Sequence, residues 1–439
     1  MKDRWGNPIS YGGVDAIDGY CNAVWKLHGF EMDAVARIES VLEEHPDFMM
    51  AHCFRAAAIA SAMDKAFEGE ARKSLAAAHA LLGRGNERER AYVKATRAWL
   101  DGDFQDAVEG FGRIAVTWPR DLLAVQIAHA GDFFLGYSNM LRDRIARALP
   151  AWTQSDDSYG FLMGMYAFGL EESGEYEKAE AAGREAVRRN PADAWAVHAV
   201  AHVMEMQGRA QDGVAWLGGT EAGWTRAAAF AYHNWWHKAL FHLEQGDIAA
   251  VLDIYDRQLA FALGQAVELV DATAMLWRLT VLGHDVGERW PPVANAWAER
   301  IGDGYYAFND VHATMAFAST AAALGQERQM QTLLRAAAGS GTNAMMSRDV
   351  GVPAARGFSA FASGDYAAAI DFLMPLRAVS NRFGGSHAQR DVFLFTLTEA
   401  AIRKGDKTLA DALVAERRAA KRDSALVRAW TKRATHLAA

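Results

Sequence analysis

The chain has 439 residues, 51% of them hydrophobic and 23% charged, and carries a net charge of −8. That balance fits a soluble folded protein and excludes a disordered one. Basic residues are scattered apart from the run 416–433, so no nucleic-acid footprint is expected, and that run reads as a solvated terminal helix.

The N-terminal MKDRWGNPIS lacks the apolar core of a signal peptide. Apolar runs such as AWAVHAVAHVMEM break well short of the roughly 20 residues that a membrane span needs. A cytoplasmic protein without membrane contact is therefore expected. The two cysteines, Cys21 and Cys53, form no metal signature and read as buried small apolar residues.

One unit recurs along the chain. An apolar helix ends at a Gly, a polar and often an aromatic residue follow, and an Ala shortly afterwards opens a second helix that Pro closes. It is read at Leu27–Pro46 (LHGFEMDAVARIESVLEEHP), Leu100–Pro119 (LDGDFQDAVEGFGRIAVTWP) and Glu172–Pro191 (ESGEYEKAEAAGREAVRRNP). Weaker copies centre on Gly208, Gly246, Gly283, Gly325, Gly364 and Gly405. Gly ends a helix by taking a left-handed conformation, a small Ala allows close helix approach, and Pro cannot continue a helix. The long intervals from Gly29 to Gly102 and from Gly102 to Gly174 each hold two units.

Strand signals are nearly absent between these points. The pattern is tetratricopeptide-like, and the fold class expected is all-α: a right-handed superhelix, or α-solenoid, of about eleven helix pairs. Residues 1–439 read as one continuous array, least regular over 50–88 and 122–158. Pro291 with Pro292, and the GSGTN stretch at 339–343, read as loops within it.

In tetratricopeptide arrays the first helix of each pair lines the concave groove, at positions thirteen, ten, six and three before the turn glycine. Those offsets form one stripe on a helix. Before Gly208 they select His198, His202 and Glu205. Before Gly246 they select His233 and Trp236, with His237 and Leu240 on nearly the same line; His242 falls at a packing position, and the adjacent Trp235 reads as core. Before Gly325 they select His312, with Asp310 on the edge of the same helix. His312 lies two repeats further along and joins the others only if the array curls inward.

The pairs His198 with His202 and His233 with His237 are spaced i, i+4, the spacing by which a helix offers two imidazoles to one metal ion. A divalent metal held by these four is one reading; groove histidines acting as hydrogen-bonding or acid–base groups are the other. Trp277 lies six before Gly283 on the groove side. The adjacent Arg278 either pairs with Asp271 or clamps an anion. Gly384 and Gly385 followed by Ser386 read as a plain loop and helix cap, or as an anion site at a helix start, with Gln389 and Arg390 in its first turn and Arg390 a candidate ion-pair partner of Asp391.

The segments HPDFMMAHCFRAA, VHAVAHVMEMQGR, HNWWHKALFHLEQGD, DATAMLWRL, FNDVHATMA and GGSHAQRDVF, in this order, resemble the tetratricopeptide repeat protein 38 family and its bacterial relatives. The resemblance spans essentially the whole chain. It implies the superhelical fold and brings no activity with it. His198, His202, Glu205, His233, His237, Asp310, His312, Ser386, Gln389 and Arg390 all lie in these segments.

Two functions are therefore expected in competition. One is a concave site for a small polar or anionic metabolite, with acid–base or metal-assisted hydrolytic chemistry. In it the five histidines act as base, acid or metal ligand, Glu205 and Asp310 orient them, and Trp236, Trp277, Arg278, Ser386, Gln389 and Arg390 hold substrate. The other is a non-catalytic scaffold that binds a partner peptide in its groove.

Overall fold

The structure is a computed structural model that describes residues 1–320, 322–421 and 424–437. It is all-α and tetratricopeptide-like; extended pairing among the described residues is an isolated bridge between Lys2 and Pro8. Helix pairs such as Glu87–Leu100 with Phe104–Thr117, Tyr159–Glu172 with Tyr176–Arg189, and Val352–Ala362 with Tyr366–Leu373 are joined by tight turns and pack side by side. No helix among the described residues is long and apolar enough to cross a membrane.

The turns carry the repeat. Left-handed residues stand at Phe30, Met63, Gly102, Gly136, Gly174, Gly208, Gly246 and Gly283, at intervals of 33 to 39 residues, and again at Gly364 and Gly405. At four of these turns Gly is followed by Asp, and the Gly ends one helix while the Asp starts the next: Asp103, Asp247, Asp365 and Asp406 each accept the backbone N–H three residues on.

Two of the irregular stretches now resolve into repeats. The turn within 50–88 is at Met63 and that within 122–158 at Gly136. Three expectations are corrected. Gly29 keeps a right-handed backbone and the left-handed residue is Phe30, whose carbonyl accepts the Ala229 N–H and whose ring packs on Phe230 and Trp195. Those contacts offset the roughly 1–2 kcal/mol that a left-handed non-Gly residue costs. Gly325 lies inside helix Ala323–Ala338, where a Cβ would meet the Phe317 ring at 2.9 Å, so its smallness serves helix packing. Pro291 and Pro292 occupy the first turn of helix Trp290–Ala298, where a missing N–H costs nothing.

The chain forms two compact units, residues 1–200 with 220–231, and residues 201–219 with 232–439. In the first, the beginning of the chain returns to later elements. The His28 ring bonds the Leu122 carbonyl at 3.1 Å, Gln126 donates to the Leu27 carbonyl, and Trp25 meets Phe161 edge-on. Its core includes Trp99, Trp224, Tyr20 and Tyr92. Cys21 and Cys53 are buried there, and burial raises both thiols, that of Cys21 to about 11.

Helices of this unit cross with backbone in contact. At Gly169 a Cβ would lie 2.4–2.5 Å from the backbone of Leu141 and Arg142. Backbone cannot move aside as a side chain can. Gly169→Ala is therefore expected to destabilise the unit by about 1–3 kcal/mol despite its better helix propensity, read as a lower denaturant midpoint.

The second unit closes on itself. Lys421 reaches Glu205 across 216 residues of sequence, Arg417 reaches Glu244, and a Cβ on Gly208 would touch the Lys421 backbone at 2.8 Å. Helix Ala266–Val281 packs on helix His387–Lys404, with Trp277 Nε1 donating to Thr396 Oγ1 at 3.0 Å and Arg403 to the Val281 carbonyl at 2.5 Å. Trp236, Trp277 and Trp430 are fully buried in it.

Candidate histidine centre of the second unit

Three helix segments bring the centre together. His202 comes from helix Ala194–Met206, His233 and His237 from helix Ala228–Gln245, and Asp271 from helix Ala266–Val281. The i, i+4 spacing puts His233 and His237 one turn apart on one face. Their rings meet edge-on at 4.9 Å, and His237 lies 4.5 Å from His202. Ring nitrogens of the three lie within 4.8 Å of one another, and all three residues are buried. His198, one turn before His202 on the same helix, belongs to the first unit, with its ring against Phe168, Trp195 and Phe230.

Asp271 fixes one imidazole. His233 Nδ1–H donates to Asp271 Oδ2 at 2.6 Å, which leaves Nε2 as the acceptor atom. The other face of the ring is set by Trp236, stacked at 5.4 Å and 12°. Burial, then the neighbouring His202, His233, Arg278 and Lys421, hold the His237 ring well below the ordinary histidine range, so it is neutral near pH 7. Among the described residues, buried Asp271 Oδ1 and Trp236 Nε1 have no protein hydrogen-bond partner.

Arg278 links this group to the next. Its Cζ lies 5.5 Å over the Trp236 ring, while its Nη atoms donate to the carbonyls of Ala274 and Ala388 at 3.1 Å. Asp271, which was one expected partner of Arg278, is taken by His233 instead. Ser386 and Gln389 form a capping box at the start of helix His387–Lys404, the cap reading of the Gly-Gly-Ser turn. Arg390 donates to the carbonyls of Gly384 and Gly385, and Asp391 pairs with Arg417 at 2.7 Å rather than with Arg390.

His312 is buried with Nδ1–H on the Phe308 carbonyl at 2.8 Å, and burial first, with Arg278 adding, lowers its ring to about 4. The Phe308 ring in turn abuts Gly385. Asp310 faces Gln329, which donates to Oδ1 at 2.8 Å, and burial raises its carboxyl to about 7. A carboxyl raised in the folded state subtracts stability as pH climbs from its unfolded value near 4 to about 7. Asp310→Asn, which keeps the acceptor for Gln329, should flatten this slope. The variant is expected to melt higher than the parent at pH 8 and to match it at pH 4.

Two readings of the sequence change. Of the adjacent tryptophans, Trp236 is the fully buried one, while Trp235 is partly exposed with Lys238 Nζ 4.6 Å over its ring. The basic run 416–433 is two helices, Lys407–Ala420 and Ala425–Thr435, and its Arg422 and Asp423 lie outside the described residues. Arg417 and Lys421 from it point inward and are buried against Glu205, Glu244 and Asp391. Sequence reasoning passed over Glu244, and saw Asp391 only as a mate for Arg390 and Asp271 only as a mate for Arg278. The i, i+4 spacing of Arg417 and Lys421 was the available signal.

No family model matches the chain. Among solved structures it is similar to the Cut9–Hcn1 hetero-tetramer of the APC/C, at 13% identity and a TM-score of 0.46 over 97% of this chain and 77% of that one. It is also similar to the human IFIT1 dimer with m7Gppp-AAAA, at 13% identity and 0.41 over 93% and 96%. A monomeric IFIT1 mutant with Gppp-AAAA gives 13% and 0.40 over 97% and 100%. Likeness at this level carries no activity or partner across, and the fold rests on the helix pairs and turns themselves.

Proposed function

We propose that this tetratricopeptide-like protein, a relative of the tetratricopeptide repeat protein 38 family, binds a small polar or anionic metabolite in the interior of its second unit. The observation that carries this reading is the gathering of three imidazoles, a carboxylate, an indole N–H and a guanidinium in one buried region. Two of those groups, Asp271 Oδ1 and Trp236 Nε1, have no protein partner among the described residues. Buried polar atoms in native proteins are nearly always satisfied, by protein, water or ligand. His237 supplies a neutral imidazole for acid–base chemistry, His233 an imidazole oriented by Asp271, and Trp236 a stacking face.

The test is native mass spectrometry of untagged protein, joined to thermal-shift measurements with small carboxylates and phosphorylated metabolites. A bound small molecule, or a shift that Trp236→Phe abolishes, supports the reading. A bare native mass together with no shift from the panel removes it.

Helical-repeat folds, taken alone, favour the second reading, a scaffold for a partner peptide. The first unit offers the specific observation. A cleft of about 670 Å³ there is lined by Arg4, Arg189 and Arg226 together with Glu31 and Asp157, around Trp25 and Phe161; Arg4 pairs with Asp157 and Arg189 with Glu185. A peptide with an aromatic residue and a carboxylate for Arg226 suits such a mixed lining. Loss of its binding in Arg226→Glu, with the fold intact, is the result expected under this reading.

A further inference from the structure

We propose that the second unit binds one divalent transition-metal ion of the zinc class through ring nitrogens of His202, His233 and His237, with Asp271 as the carboxylate behind His233. This deepens the small-molecule reading above and rests on it for the metal's purpose, though not for its binding.

Geometry comes first. The three donor nitrogens already lie within 4.8 Å of one another. A tetrahedral ion with Zn–N bonds of about 2.0–2.1 Å needs them about 3.4 Å apart, a change within the reach of small ring rotations. Two of the donors come from one helix face at i, i+4, so their separation is set by the helix rather than by a loop.

Orientation is the second argument. The Nδ1–H of His233 is held by Asp271 at 2.6 Å, which fixes the tautomer and presents Nε2. A carboxylate behind a histidine is the recurrent outer shell of metal-bound imidazole and raises its basicity. The stacked Trp236 and the Arg278 above it restrain that ring further.

Charge is the third. Arg278 and Lys421 oppose a cation: Lys421 is engaged by Glu205 and Glu244, while Arg278, over the Trp236 ring, donates to the carbonyls of Ala274 and Ala388, so its charge is the one the ligand set must outweigh. Asp271 then adds a negative charge directly behind the ligand set. The donors are imidazoles without thiolate, a set that suits zinc, cobalt, nickel, copper(II) or iron(II) over magnesium or calcium. Three protein ligands leave one tetrahedral position for water or a substrate oxygen, the arrangement of catalytic rather than structural zinc.

The experiment uses the full, untagged chain after chelator treatment, titrated with Co²⁺ and then Zn²⁺. One equivalent of Co²⁺ with the intense visible bands of a four-coordinate site, displaced by Zn²⁺, is expected. His237→Asn should weaken binding at least 100-fold and Asp271→Asn about 10- to 100-fold. The far-ultraviolet dichroism of the metal-free variants should match the parent. If His237→Asn does not fold, Asp271→Asn decides alone. Co²⁺ and Zn²⁺ binding weaker than about 0.1 mM, or equal binding by parent and Asp271→Asn, overturns the site. The thermal-shift panel run on metal-free protein separates the two ideas: a metabolite shift that persists without metal keeps the small-molecule reading while the metal falls, and metal uptake without any metabolite shift does the reverse.

Discussion

Arg417→Ala should destabilise the second unit by about 3–5 kcal/mol, among the largest effects of any single change in it. The guanidinium is buried and bonds both oxygens of Asp391 at 2.7 and 2.8 Å while also pairing with Glu244. It also covers aromatic surface, with its Cζ 5.7 Å over Phe395 and 5.2 Å over Trp430. Alanine removes all of this and leaves Glu244 buried with Lys421 and Ser424 as its remaining partners. Arg417→Lys should recover only part of the loss, because lysine lacks the planar fork whose two Nη groups reach Asp391 and Glu244 separately.

The same cluster sets an acid limit. Burial raises Glu244 and Asp391, but the charges of Arg417 and Lys421 outweigh it and hold both at about 2. Groups depressed in the folded state lend stability above their unfolded values near 4 and lose it as pH falls toward 2. Acid unfolding followed by hydrogen exchange should therefore open peptides from 387–437 across that window. In Arg417→Ala the same opening is expected at higher pH. Unchanged midpoints for both would mean that the cluster is solvated and not a fastening.

Arg88→Ala is expected to have a similar effect in the first unit. Arg88 has no exposed side chain and pairs with Asp121 at 2.6 Å and Asp3 at 3.2 Å, both equally enclosed. It also donates to the Pro8 carbonyl and the Tyr20 hydroxyl, and so holds the N-terminal segment against helix Glu87–Leu100. Removing it leaves two carboxylates inside the protein, one supported by Tyr92 and the Ala124 N–H, the other by Asn7 and the Trp5 N–H. A loss of about 3–5 kcal/mol follows from the uncompensated charge. It should appear as a lower thermal midpoint and as faster exchange in the peptides spanning residues 1–20 and 87–134. A change below about 0.5 kcal/mol, the range of ordinary surface substitutions, would show that the pair is not the fastening drawn here.

The fold was legible because its punctuation is chemical. Gly102, Gly174, Gly208, Gly246, Gly283, Gly364 and Gly405 stand at left-handed turns where glycine carries no Cβ penalty. The turn at Met63 was hidden because it carries no glycine, and in the first repeat the left-handed residue stands one position after Gly29, at Phe30, held by its contacts with Ala229, Phe230 and Trp195. Gly136 falls at the repeat interval but has Leu141 where Gly102 and Gly174 are followed, five residues on, by Ala107 and Ala179. Helix spacing put His233 and His237 on one face. It could not pair His233 with Asp271, 38 residues away, since that contact depends on which helices become neighbours. Arg417 and Lys421 were lost for a related reason: a basic run reads as solvated unless its acidic partners are known, and Glu205 and Glu244 are far off in sequence. The order of Trp235 and Trp236 was reversed because a residue facing inward in a closed unit is also buried.

Closure of the second unit bears on how it comes apart. An open array of helical repeats behaves as a row of neighbours, each held by the next, and frays from whichever end is weaker. Here helices Lys407–Ala420 and Ala425–Thr435 are bound back to the beginning of the same unit through Lys421, Arg417 and Ser424. Such a unit has no last repeat to peel away. Its amides should exchange with one shared opening energy from 232 to 435, and unfolding should be all-or-none where an open solenoid of the same length would melt in stages.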